Sequence, residues 1–198
     1  MIASVVSLLR RAADNLRLAS DGTYPASVDR AVDVLVESFT QRGTLLVFGN
    51  GGSAADAQHL SAELVGRFAF RRPPLAAIAL VVNPSLLTAW SNDVGFDDVF
   101  ARQIEALGRP GDVAMGISTS GNSPNVVNGL AAARAAGLRT IGLTGRGGGR
   151  VAEFCDVLVS APADDAAPVQ EIHLATYHAM CAIVEARMFP DLMTGEPL

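Results

Sequence analysis

The chain has 198 residues, of which 49% are apolar and 18% charged, with a formal net charge of −5. That length supports one ordinary domain with a full core, and the composition excludes a disordered chain. All 15 basic residues are arginines. Without a lysine, a Schiff-base aldolase, a pyridoxal phosphate enzyme and a Walker A loop are excluded, and the acidic balance argues against a nucleic-acid surface.

The first twenty residues carry Val5, Leu8, Leu9, Ala12 and Leu16 at helical spacing. They read as an amphipathic helix over 2–20, and their arginines follow the apolar stretch, the reverse of a signal peptide. A breaker stretch, Asp21 to Pro25, separates it from a second helix over 26–42. Segment 1–42 is expected to pack on the domain or on a neighbouring subunit. After Gly43 short apolar runs alternate with longer helical segments. The runs are Leu45–Phe48, Leu75–Val82, Val113–Ile117, Thr140–Leu143 and Val157–Val159. Continuous apolar runs mark strands buried on both faces. Helices are expected over 54–68, 85–91, 96–107, 123–136 and 168–187. The fold class is therefore α/β, a single domain over 1–198 built as a three-layer α/β/α sandwich with roughly five parallel strands. Its ligands should lie beyond the strand C-termini. No apolar run is long enough to span a membrane, and Cys155 and Cys181 form neither a CxxC pair nor a zinc-finger spacing and read as buried free thiols, so a cytoplasmic protein is expected.

Two strand ends carry the chemistry. The first runs Phe48-Gly49-Asn50-Gly51-Gly52-Ser53 into a helix, with glycines for close backbone approach and Ser53 expected as the N-cap. The third runs Gly116-Ile117-Ser118-Thr119-Ser120-Gly121-Asn122-Ser123-Pro124, with Pro124 in the first helical turn. It holds four hydroxyls within six residues, where a cap needs one. Hydroxyls and free backbone N–H groups hold a phosphate without a lysine, so the two loops together point to a phosphate or sugar-phosphate cradle.

Further along, His59 and Glu63 share a face of the helix that follows the first loop. The last helix contains Gln170, Glu171, His173 and His178. At ~100° per residue Glu171 lies about 20° from His178, Gln170 about 80° and His173 about 140°. Geometry alone pairs Glu171 with His178, and His173 is expected in the core or behind the site.

The segments GNGGSAADAQH, GISTSGNSPNVVNGLAAARAAGLRTIGLTG, SNDVGFDDVFARQ and QEIHLATYH resemble the SIS (sugar isomerase) family, in its phosphoheptose isomerase branch. The likeness covers nearly the whole chain. It implies the flavodoxin-like SIS fold and a homotetramer with active sites at subunit interfaces. By resemblance, Ser53, Ser118, Thr119, Ser120 and Ser123 hold the substrate phosphate, while Asn50, Gly51, Gly52 and Asp93 lie against the substrate. The resemblance points to Gln170, in place of Glu171, as the partner of His178, and to a zinc ion held by His59, Glu63, Gln170 and His178. Two imidazoles, a carboxylate and an amide oxygen make a four-ligand set.

The implied reaction converts sedoheptulose 7-phosphate to a D-glycero-D-manno-type heptose 7-phosphate through an enediol. It needs a base for the carbon-bound proton and an acid for the oxygen, and these roles fall to Glu63 and His178. The alternatives are a scaffold of the same family that binds a replication initiator protein, a regulatory sugar-phosphate sensor, and an isomerase of another ketose phosphate. The scaffold branch lacks counterparts of Glu63 and His178, which favours the isomerase. Two places depart from the family pattern: Asn83-Pro84-Ser85, where an aspartate is common, and Ala167-Pro168-Val169-Gln170, which lacks the usual polar residue and arginine.

Overall fold

The computed structural model describes residues 4–192, so the first two residues of the helix expected over 2–20 lie outside it. In chain order the elements are α1 (Val5–Ser20), α2 (Tyr24–Thr40), β1 (Leu45–Gly49), α3 (Gly52–Val65), β2 (Ala77–Ala79) and α4 (Pro84–Asp93). They continue with α5 (Val99–Leu107), β3 (Val113–Ser118), α6 (Pro124–Ala135), β4 (Arg139–Thr144), β5 (Val157–Ser160) and α7 (Ala166–Met188). A 3₁₀ turn at Phe96–Asp98 precedes α5, so the stretch expected as one helix over 96–107 is a tight turn leading into an α-helix. Helix α7 begins two residues before the expected 168 because Pro168 sits in its first turn, where a missing N–H costs no helical bond.

All strand pairs are parallel and the sheet order is β2-β1-β3-β4-β5. The side-chain period of two sorts β1 cleanly. Leu45 and Val47 face a core formed with α2, α3 and α7, while Leu46 and Phe48 face a second core formed with α5 and α6. This gives the three layers. Strand β2 is shorter than the run Leu75–Val82. Only Ala77 to Ala79 pair in register with Leu45 to Val47, Leu80 donates one last bond to the Val47 carbonyl (2.9 Å), and the chain then turns away with Val82 exposed.

Within segment 1–42, α2 belongs to the core through Val28, Ala31, Val32, Leu35 and Phe39. Helix α1 buries only Ala19 and leaves Val5, Val6 and Leu9 exposed.

Candidate active site

The sheet order reverses direction at β1 and β3, which are neighbours. In open α/β sheets the crevice at the C-terminal ends of such a pair is the favoured ligand position. Both hydroxyl- and glycine-rich loops open there, each feeding a helix N-terminus.

After β1 the chain makes its turn at Gly51, with φ 55° and ψ −119°, a conformation that excludes a side chain, and Gly51 is the N-cap of α3. Ser53 is therefore not the cap expected from the sequence. It lies inside the first turn of α3 and is buried against Gly49. After β3, Ser123 occupies the N-cap position of α6, but its hydroxyl does not bond the helix. It turns instead to Ser118 Oγ at 3.0 Å, and Ser118 Oγ also meets Ser120 Oγ at 3.5 Å. Ser120 Oγ accepts the Asn122 N–H at 3.1 Å, closing the turn, while the Thr119 carbonyl accepts the Gly145 N–H from the end of β4 at 3.0 Å.

The two loops are joined by a contact the sequence did not reveal. Asn50 and the buried Asn125 exchange both amide bonds, Nδ2 of each donating to Oδ1 of the other at 2.8 and 2.9 Å. Asn50, expected beside the sugar, thus spends one amide hydrogen and its carbonyl on holding β1's loop to α6. Gly52 leaves space for Gln170, whose amide lies where a Cβ would stand. Asp93 ends α4, exposed, with Oδ1 accepting from Asn92 Nδ2 at 2.8 Å. Asn83 caps α4 by accepting the Leu86 N–H at 3.0 Å, which gives that departure from the family pattern a local role.

Farther along the same pair of helices, α3 and α7, a second group converges. His59 Nε2 is 3.0 Å from Glu63 Oε1 and 3.5 Å from His178 Nε2, and one ligand atom from each residue falls within 4.8 Å of the others. The two imidazoles meet edge-on, with ring centres 5.0 Å apart, and Phe68 covers His178 at 5.4 Å. Behind His59 stands Tyr177, whose hydroxyl donates to Asp56 Oδ1 at 3.4 Å and lies 3.0 Å from His59 Nδ1. The Tyr177 hydroxyl thus bridges Asp56 and His59 Nδ1 and holds the imidazole with Nε2 toward Glu63 and His178. Burial raises both the Tyr177 and the Asp56 pKa. The Asp56 charge raises Tyr177 further, while the Tyr177 bond and the His59 charge oppose the rise at Asp56.

Gln170 does not join this group within the subunit. Eight residues separate it from His178, about 12 Å along α7, and its amide lies at the cradle end against Gly52. Glu171 shares a face with His178 but is exposed and about 10 Å distant along the axis, so the wheel pairing fails on rise. His173 is fully buried, with Nε2 3.1 Å from the Thr144 carbonyl. Burial lowers its pKa to about 4 against the smaller opposing effect of that bond.

A carboxylate facing two imidazoles, on helices whose N-terminal ends meet two hydroxyl- and glycine-rich loops at the C-terminal edge of an open parallel sheet, equips an α/β domain for acid–base chemistry. The profile of the SIS domain family matches residues 11–145. A phosphoheptose isomerase from Bradyrhizobium sp. (strain BTAi1 / ATCC BAA-1182) is 51% identical over 185 residues, 93% of each chain. The solved phosphoheptose isomerase of Neisseria gonorrhoeae is 40% identical with a TM-score of 0.86, covering 92% of this chain and 97% of that one. The Francisella tularensis enzyme is 32% identical with a TM-score of 0.87, covering 91% and 95%. The chain belongs to the SIS domain family, among its phosphoheptose isomerases.

Proposed function

We propose that the protein isomerises sedoheptulose 7-phosphate to a D-glycero-D-manno-type heptose 7-phosphate. The observation that carries this reading is the convergence of Glu63 and His178 around His59, on the two helices whose other ends face the phosphate cradle. A scaffold has no use for such a group.

The cradle binds the phosphate through the hydroxyls of Ser118, Thr119, Ser120 and Ser123 and the N-termini of α3 and α6. Distant binding energy thereby orients the opened sugar. Glu63 removes the proton from the carbon beside the carbonyl, and His178 delivers a proton to the oxygen as the enediol forms. The same two groups run the transfer back onto the neighbouring carbon. His59, Glu63 and His178 suit a zinc ion, since two imidazole nitrogens and a carboxylate oxygen already lie within 4.8 Å of one another. When bound, zinc would polarise the substrate carbonyl.

Assembly into a homotetramer with sites shared between subunits fits the dimensions. An extended chain advances about 3.5 Å per three bonds, so a phosphorus at O7 reaches at most ~9 Å from C1. Along α3, Gly52 and Glu63 are about 16 Å apart. One subunit's cradle paired with another's Glu63 removes that mismatch, and the exposed Val82, Val94 and Phe96 offer apolar surface for the contact. Among the described residues no helix is long and apolar enough to cross a membrane, and both cysteines are free thiols, as suits a cytoplasmic enzyme.

The test is turnover of sedoheptulose 7-phosphate by purified protein, with and without added zinc. Glu63→Gln and His178→Ala are expected to lose activity on the order of 10²–10⁴-fold. Full activity in both variants would sink the assignment, and an inert wild type under every metal condition would sink the function.

A further inference from the structure

Among the described residues, Arg72 and Glu185 are the two charged residues whose side chains form an ion pair with no exposure at all. Arg72 Nε donates to Glu185 Oε1 at 2.8 Å, and its two remaining nitrogens donate to main-chain carbonyls at the end of α3: NH2 to Glu63 at 2.8 Å and NH1 to Leu64 at 2.6 Å. The guanidinium thus caps the negative end of the helix that carries His59 and Glu63. Glu185 is equally committed. Its Oε1 also accepts the Phe68 N–H at 2.7 Å, and Oε2 accepts the Ala69 N–H at 2.8 Å.

The reach of this pair is what matters. Glu185 follows His178 by seven residues, nearly two full turns, and so lies on the same stripe of α7. Phe68, whose N–H it holds, is the ring packed on His178. Arg72 is one bond from the backbone of Glu63, and its partner carboxylate fixes both the helix and the aromatic cover of His178. Apolar side chains could hold two helices together without the cost of desolvating charges, but they could not bond four main-chain groups at set angles.

We propose that Arg72 and Glu185 are positioning residues of the isomerisation, setting the placement of Glu63 opposite His178. This rests on the proposed function. A misplacement of about 1 Å at reacting groups costs on the order of 10²-fold in rate, while the phosphate cradle, built at the other ends of these helices, is untouched.

The experiment uses full-length Arg72→Lys, which keeps the charge but loses the planar fork, and Glu185→Gln, which keeps the shape but loses the charge. Leu138→Ala, a core deletion just before β4, is the thermal control. With sedoheptulose 7-phosphate, both pair variants are expected to lose kcat on the order of 10–100-fold with KM within about twofold. The control is expected to lose Tm and keep kcat. A second readout needs no turnover: the chain has 3 histidines, so the His178 ring resonances can be assigned by single substitutions. They should shift in both pair variants and stay put in the control. If the pair variants lose Tm and keep kcat as the control does, or if the His178 resonances are unmoved, the inference is wrong. An inert wild type with shifted resonances would remove the functional reading and keep the positioning role.

Discussion

His173 offers a quantitative test of how the core treats charge. Its imidazole is fully buried on α7, bonded to the Thr144 carbonyl, with a pKa lowered from 6.5 to about 4. A lowered histidine pKa means the folded chain refuses a proton that the unfolded chain accepts. Between the two values the unfolded state binds more protons, so stability falls as pH falls from 6.5 toward 4. From these pKa values the loss is about 1.4 kcal/mol at pH 5.5 and about 2.5 kcal/mol at pH 4.5. Carboxylates titrate in the same range, so the measurement is a difference. Urea unfolding of wild type and His173→Gln, at matched protein concentration, is followed at pH 7.5, 5.5 and 4.5. Glutamine can donate to the same carbonyl but does not titrate. Its stability relative to wild type should therefore rise by about 2.5 kcal/mol between the first and last pH. A difference that stays flat would show that His173 titrates normally in the fold and that the burial argument fails.

Three further outcomes follow from the site. Asn125→Ala removes the partner of both Asn50 amide groups. It should raise KM for the sugar phosphate more than it lowers kcat, with a stability loss of about 1–3 kcal/mol read by calorimetry. Inactive Glu63→Gln and Ser120→Asp proteins, unfolded and refolded together, should regain about a quarter of the sites if cradle and base come from different subunits. No recovery would place both within one chain. Tyr177→Phe keeps the ring but frees His59 Nδ1 from its hydroxyl partner, and it should weaken zinc binding, measured with a chelating dye, about 10–100-fold.

What could be read from the sequence divides along a physical line. Strands β1 and β3 were legible because burial on both faces makes them uniformly apolar, and α6 because a proline marks its first turn. Strand β2 was overdrawn because an apolar run does not say how many of its residues find a neighbour, and at the sheet edge only three did. Ser53 looked like a cap because serine favours that position, but the positive φ at Gly51 moved the helix start back. His59 and Glu63 were legible as a pair because the helix itself brings them together. Asn125, Tyr177, Arg72 and Glu185 were not, since each meets its partner across 75 to 118 residues of chain. One hint was available: Glu185 ends an apolar stretch, Cys181 to Val184, where an unpaired charge would be costly.

The serine-lined loop has a consequence for how the protein meets its surroundings. On the proposed reading, with hydroxyls and helix N-termini in place of lysine ammonium groups, the pocket would recognise a phosphate by outline and by hydrogen-bond direction. Sodium chloride, which weakens attraction between full charges, has little to screen there. Sulfate and inorganic phosphate, which share the tetrahedral shape, are the ions that should displace the substrate. A cell's phosphate pool, more than its salinity, would then set how readily this pocket is free.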